Sequence, residues 1–518
     1  MAMRCLHRTS LYTALCALTL SGCAVGPDFV KPVPRAPADW TSWHSGDPSL
    51  HPPVDASQTL PSTWWHAFGD PVLDTLEQQA FEANPDLRTA ALRFAQARAQ
   101  RGATAAQRGP EINASASATR QRQSENGAAT RAYSALGSTI GSALDTSQLL
   151  SMLSQPYTLY QAGFDASWEL DLWGRIGRSI EAADADVARQ SALLDLARLS
   201  ITSDVARSYL ELRTTQQQIR LMRDDVAATE DRLGLLDARA KGGVIDHLDL
   251  ERQRADLAAL KAQLPPLLAQ ESASMNQMAL LVGQRPGALQ ATLAPRPAAA
   301  PDYRNTAAAL PDLALGLPSE VALRRPDIRA AEAQLRSATA SIGVAQAELY
   351  PSIRLGAKFG YESYLSGEFS DWGSRTWSIG PSINLPLFDR GRRKSVVQLR
   401  ELQQQEAAVD YQQTVLKAWQ EIDDALSAYA ADQQQVRQLQ SRVSSVGDAY
   451  RLALARYEGG ETDYTAVLDT QRGYLQACRD LTASQGQLNI SFVTINKVIG
   501  NVPEESPRHA ERPRNMKE

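Results

Sequence analysis

Histidine is scarce and poorly placed for chemistry: the six copies, at positions 7, 44, 51, 66, 247 and 509, show no metal-ligand spacing and accompany no nucleophile motif. No metal, cofactor or catalytic residue is therefore expected, and an enzyme is disfavoured. Cysteine is nearly absent. Of four copies, Cys5, Cys16 and Cys23 lie in the first 23 residues and only Cys478 remains for the body, so no internal disulfide is expected. Cys478 sits in a helix-forming stretch with no histidine nearby in sequence and reads as an inert thiol. Neither sign of charge dominates: 53 Lys+Arg stand against 58 Asp+Glu, a net charge of −5 over 518 residues. Without a long basic run there is no footprint for nucleic acid. Past Cys23, no apolar run reaches the ~18 residues a spanning helix needs. Any membrane crossing must then be made by β-strands.

What is present begins with a leader. Arg4, His7 and Arg8 precede an apolar stretch, Leu11–Leu20, which Ser21-Gly22-Cys23 closes. The stretch is too short to span a bilayer and is flanked as a secretory signal is. Small residues leading to a cysteine form the pattern of a bacterial lipoprotein signal, whose thiol is acylated before cleavage. Cys23 is thus the expected lipid attachment site, with residues 1–22 removed. Each buried acyl methylene contributes about 0.8 kcal/mol, so several chains make a durable tether. Ala24 after the cysteine fits onward passage to the outer membrane. The alternative is an ordinary cleavage site that happens to hold Cys23.

The body is written twice. Asn84-Pro85-Asp86-Leu87-Arg88 recurs as Arg325-Pro326-Asp327-Ile328-Arg329, and the register holds without a gap through Gly102 and Gly343, Pro110 and Pro351, Ile112 and Ile353. Leu170-Asp171-Leu172-Trp173-Gly174-Arg175 likewise matches Leu385-Pro386-Leu387-Phe388-Asp389-Arg390. The parts are residues 23–83 (an extended strap and a short helix), 84–284 (repeat 1), 285–318 (a Pro/Ala-rich linker), 319–500 (repeat 2) and the tail 501–518. Each repeat holds two strand candidates. From Tyr160 to Leu172 the even positions are apolar or small and the odd ones mostly polar, and a side-chain period of two sends these to opposite faces. Ile353, Leu355, Ala357, Phe359 and Tyr361 alternate in the same way, as do Trp377, Ile379, Ile383, Leu385 and Leu387, and more weakly Ile112 to Ala118. Such strands suit an outer-membrane barrel; a half-buried sheet in a soluble domain is the rival reading.

Proline is missing between Tyr157 and Leu264 and between Leu387 and Val502, and both spans are dense in helix formers. They predict very long helices, each turning back at a Gly-Gly pair (Gly242-Gly243, Gly459-Gly460) into a return helix over about 247–282 and 463–499. Val415, Ile422, Tyr429, Val436, Val443, Tyr450 and Tyr457 fall at every seventh place, the repeat of coiled helices. Pro265-Pro266 is expected to break or kink the first return helix. Four membrane strands cannot close a barrel, because open edges are intolerable in lipid, so several copies must share one. A closed ring of identical chains would also gather the helical hairpins into a tube.

Several motifs together carry a resemblance: the lipobox followed by Ala24-Val25-Gly26-Pro27-Asp28, Trp64-Trp65 with Phe68-Gly69-Asp70-Pro71-Val72-Leu73, and the stretches 169–175, 325–335 and 468–472. From Cys23 to about Gly500 the chain resembles the outer membrane factor lipoproteins (TolC/OprM-like, NodT-type). The resemblance implies an internally duplicated α+β membrane protein: a homotrimer with a twelve-stranded β-barrel, a long periplasmic α-helical barrel and a mixed equatorial domain. It implies an exit duct for drugs or other toxic small molecules, working with a periplasmic adaptor (membrane fusion protein) and an inner-membrane transporter. By position, the adaptor-contact turns are Lys241, Gly242, Gly243 and Val244, and Glu458, Gly459, Gly460 and Glu461. Plain helix termination is the alternative for each glycine. The family's periplasmic aperture pattern falls on Tyr457, Gly460 and Asp469, with Asp463 and Asp246 near the same tip. Ala466 stands where some relatives carry a second acidic residue, and a solvated helix face is the plainer reading of every carboxylate named. Trp168, Trp173, Trp377 and Phe388 are candidates for an interfacial girdle, with packing at the strand-to-helix junction an equal alternative for Trp173 and Phe388. A lipid-anchored coiled-coil spacer of the periplasm would also explain the heptads and Cys23, but it leaves the duplicated strands without a role.

Overall fold

A computed structural model describes residues 24–32, 40, 46–50, 60–124, 127, 151–152, 154–243, 247–295, 315 and 318–503. The leader, Cys23, Val244, Asp246 and the greater part of the 285–318 linker lie outside the described residues. A short helix α1 (Pro71–Ala83) leads into the first repeat: α2 (Pro85–Ala106), β1 (Glu111–Gln121), β2 (Tyr157–Leu170), α3 (Arg175–Lys241) and α4 (His247–Leu281). The second repeat follows a short α5 (Pro318–Arg324) with the same succession: α6 (Pro326–Ala347), β3 (Ser352–Ser363), β4 (Arg375–Asn384), α7 (Arg392–Glu458) and α8 (Tyr464–Val498). The proline-free spans yield two helices of 67 residues each, and both return helices begin and end within a residue or two of expectation.

The duplicated motif does the same work in both copies with different chemistry. Asn84 Oδ1 accepts from the N–H groups of Asp86 and Leu87 at 2.9 Å, capping α2, while its Nδ2 donates to Leu281 O at the end of α4 (2.8 Å). In the second copy Arg325 Nη1 reaches the corresponding carbonyl at the end of α8, Val498 O, at 2.6 Å. Its guanidinium also holds Asp327 at 2.7 Å and Glu421 at 2.6 Å. In each copy the first motif residue therefore ties the helix start to the end of that copy's return helix.

The chain divides into two compact units that both repeats enter: one holds Arg98–Ala185 and Arg336–Gln405 with the segment 24–29, the other Val30–Ala97, Asp186–Leu335 and the residues from Glu406. The second unit has the larger core, in which Leu73, Leu76, Tyr209, Met278, Tyr429 and Phe492 are almost wholly buried. Truncating a side chain such as Phe492 to alanine would cost about 3–5 kcal/mol. Helix α4 runs unbroken through Pro265-Pro266, so the expected break is absent. The two prolines and the residues four before them, Lys261 and Ala262, are exposed, so water can satisfy the carbonyls that lose an amide donor.

One buried group stands out. Glu77 on α1 is 1% exposed. Burial, reinforced by the Asp74 carboxylate, holds its carboxyl well above the usual range, opposed only by the Thr202 hydroxyl on α3. A raised folded-state value means stability that is complete below the ordinary carboxylate range and is lost as pH climbs towards that raised value. Thermal unfolding of the wild type should therefore shift down as pH rises above about 5, and Glu77→Gln should flatten that dependence. Parallel pH curves for the two proteins would contradict this.

The first unit is built on one antiparallel sheet ordered β1-β2-β3-β4. Its register aligns like with like across every strand. Ala114, Phe164, Phe359 and Trp377 form one row; Ile112, Ala166, Ala357 and Ile379 form the next; Leu170, Ile353 and Ile383 form another. The opposite face carries Asn113, Asp165, Lys358 and Ser378 in one row and Glu169, Arg354 and Ser382 in another. The apolar face lies open: Trp377 is 70% exposed and Ile379 69%. None of the described helices is long and apolar enough to cross a membrane.

Candidate functional site: the helical hairpin turns

Both long helices end by the same device. Gly460 adopts φ +75°, its N–H donates to Tyr457 O (2.9 Å) and the Glu461 N–H reaches back to Arg456 O (2.8 Å). This paired closure requires a left-handed residue, which glycine provides without strain. Gly243 at the end of α3 takes φ +69° and donates to Ala240 O at 3.0 Å. Nothing lies within 4 Å of where a side chain on either glycine would begin, so both backbones are open to approach. Lys241 bends back to Asp237 at 2.6 Å and holds that carboxyl below its usual range; Glu461 meets Arg456 at 3.4 Å.

The aperture candidates are brought together, with partners that motif reasoning missed. Asp463 caps α8, accepting from Thr465 N at 3.4 Å, and takes both terminal nitrogens of Arg239 at 2.6 and 2.7 Å. That fork holds its carboxyl down at about 2. Asp469 pairs with Arg232 at 2.6 Å. Tyr457 is half-exposed and rests against Tyr464, ring centres 4.9 Å apart. Arg232 and Arg239 stand seven residues apart, on one face of α3, but that spacing alone names no partner.

These pairs are the last rungs of a ladder joining antiparallel helices α3 and α8. Asp204 pairs with Lys497 (3.6 Å), Asp225 with Arg479, then Arg232 with Asp469 and Arg239 with Asp463. Burial peaks at its second rung and falls from there towards the turns. Asp225 is 1% exposed, whereas the Asp463 and Asp469 side chains are more than half exposed. Cross-links also join α4 to α8 (Asp256 to Arg472, 3.2 Å), α3 to α4 (Glu230 to Lys261, 2.6 Å) and α7 to α8 (Arg442 to Asp480, 2.6 Å). The heptad of α7 fades in parallel: Val415 to Val443 are buried, Tyr450 is half-buried against Tyr474, and Tyr457 is out. The hairpin ends are thus held by charge pairs together with a small apolar cluster of Leu236, Ala240 and Leu250. Deeper in, Cys478 is buried, which raises its thiol to about 11. Among the described residues no group of acidic, histidine or cysteine side chains is arranged to hold a metal.

Comparison with known proteins gives a consistent result. The sequence model of the family described as outer membrane efflux protein matches residues 76–284 and 317–501. Outer membrane protein OprJ of Pseudomonas aeruginosa is 31% identical over 488 residues, covering 94% of both chains. The toluene efflux pump outer membrane protein TtgF of Pseudomonas putida is 30% identical over 499 residues, covering 95% of this chain and 97% of its own. Among solved structures, the outer-membrane channel OprN superposes with a TM-score of 0.77 at 30% identity, over 92% of this chain and 99% of that one. The open state of the Neisseria gonorrhoeae MtrE outer membrane channel gives 0.73 at 26% identity, over 93% and 100%.

Proposed function

The chain belongs to the outer membrane efflux protein family, and we propose that three copies of it close into one conduit of the outer membrane. It acts as the passive exit duct of a tripartite efflux system, not as an enzyme. Small molecules reach it from an inner-membrane transporter through a periplasmic adaptor. Relatives named for toluene efflux and for pyoverdine export match it about equally, which supports a duct that does not itself choose the cargo.

The observation that carries this reading is the sheet: four strands, one face of exposed apolar rows, and two edges, β1 and β4, without a neighbouring strand among the described residues. Edges of that kind must pair in lipid, and three copies supply the twelve strands of a closed barrel. Internal duplication supports the same closure. Helix α6 is largely buried within its own chain, whereas its counterpart α2 buries only Leu87. Helix α7 leaves Leu399, Leu402, Val409 and Leu416 exposed along one side. A neighbouring copy's α2 on that stripe would give both repeats equivalent surroundings.

Acylation at Cys23 is supported by how the following residues are seated. Val25 N donates to Trp173 O (3.1 Å), and Arg178 donates to the carbonyls of Val25 and Gly26 (3.2 Å each) and to Asp28 (2.7 Å). Ala24 packs where a side chain on Gly174 would stand. The anchor would thus enter the membrane beside the end of β2. The open turns at Gly243 and Gly460 suit an adaptor's backbone, and threefold repetition of Tyr457, Asp463 and Asp469 would line a closed aperture.

Extraction from outer membranes should give a trimer that dissociates on heating and conducts in discrete steps in planar bilayers, with acyl label lost in Cys23→Ser. A soluble, all-helical oligomer without conductance would instead support the spacer.

A further inference from the structure

The turn from β4 into α7 carries features that the duct does not use. Leu385 and Leu387 extend the apolar line of Trp377, Ile379 and Ile383 beyond the strand's end, and with Phe388 they are open to solvent, Leu387 by 87% and Phe388 by 85%. Asp389-Arg390-Gly391-Arg392-Arg393-Lys394 follows at once. Asp389 caps the helix and pairs with Arg393 at 3.5 Å. The side chains of Arg390, Arg392 and Lys394 are exposed and have no carboxylate partner among the described residues.

Local energetics make this arrangement costly. Cations at a helix N-terminus oppose the helix dipole, and the first turn of α7 holds no acidic residue to offset them. Arg390 has φ +54°, in a left-handed region that side-chain-bearing residues avoid; among the described residues it is the one non-glycine with positive φ. The first repeat handles the corresponding turn differently. Trp173 there stacks on Tyr350 with ring centres 4.7 Å apart and donates to Pro351 O, so it packs rather than protrudes. Arg175 is neutralised by Glu169 (2.8 Å), and Arg178 by Asp28 (2.7 Å) and Glu181 (2.8 Å). The second copy thus keeps three unneutralised cations and an exposed aromatic where the first has a closed, charge-balanced turn.

We propose that this turn is a contact for anionic phospholipid: Leu385, Leu387 and Phe388 enter the acyl layer and Arg390, Arg392 and Lys394 hold headgroup phosphates. The proposal rests on the outer-membrane reading, which puts the end of β4 at a lipid–water boundary. Basic residues just beyond apolar ones match that boundary in both polarity and charge, and each cation near an anionic surface strengthens binding about fivefold.

The test uses the intact detergent-solubilised protein, with phosphatidylglycerol and phosphatidylcholine of the same acyl chains added in equal amounts and the retained lipid quantified. Wild type should retain phosphatidylglycerol in about hundredfold preference, weakening with salt. The Arg390→Gln/Arg392→Gln/Lys394→Gln variant should lose that preference, and Arg390→Lys/Arg392→Lys should keep it. Equal retention of the two lipids by a conducting wild-type trimer overturns the proposal. So does a glutamine variant that falls apart as a trimer while the lysine variant stays whole without lipid preference, which would assign the cations to a neighbouring copy. Failure of the wild type to form any conducting oligomer would instead remove the membrane reading beneath it.

Discussion

Phe359→Arg is expected to reduce the assembled trimer in the outer membrane to a trace, whereas Asn113→Arg should assemble nearly as wild type. Phe359 lies near the middle of β3 in the row with Phe164 and Trp377, on the open apolar face. A charged residue facing hydrocarbon at the mid-plane costs about 2–4 kcal/mol, and a threefold assembly incurs that cost in every protomer. Asn113 projects to the other face, 3.5 Å from Asp165, where a cation would gain a partner in water. The two substitutions add the same group to the same sheet and differ only in the face. Quantifying heat-dissociable trimer in outer-membrane fractions checks the pair. Equal assembly of both variants would mean that neither face meets lipid.

That sheet was legible because alternation is local: a period of two assigns each residue to a face before any pairing is known. The cross-strand rows add what no single strand could state, since Phe164 of the first repeat faces Phe359 of the second across 195 residues of chain. The long helices were legible for a similar reason, because absent proline and two Gly-Gly pairs mark their limits. Pro265-Pro266 does not break the helix, because the rule that proline ends a helix assumes the freed carbonyls have no other partner, and at this exposed site they are open to water. At the hairpin ends, the motif pointed to Tyr457, Gly460 and Asp469, and proximity to the tip added Asp463, but neither named Arg232 or Arg239. Their partners lie more than 220 residues away, and an arginine on a helix face looks alike in sequence whether it meets water or a carboxylate.

The second large effect is expected at those arginines. Arg232→Ala/Arg239→Ala should raise single-channel conductance several-fold while leaving the unfolding temperature close to that of the wild type. Exposed ion pairs contribute little to global stability, and the buried Asp225–Arg479 rung and the core around Tyr429 and Phe492 are untouched by the change. What the two outer rungs do is fix the start of α8 against the end of α3, where apolar packing has thinned to Leu236, Ala240 and Leu250. Without them the turns are free to splay. Acid should imitate the mutation through Asp463. Its carboxyl sits at about 2 when forked by Arg239, below the ordinary aspartate value near 4, so the link is complete at higher pH and is lost as pH falls through that interval. Wild-type conductance should accordingly stay level from neutral pH down to about 4 and climb below it. Asp463→Asn should conduct at the raised level throughout. A double-alanine variant with wild-type conductance, or a flat wild-type acid profile beside a flat Asp463→Asn profile at the same level, would show that these pairs only decorate the turn and do not hold it shut.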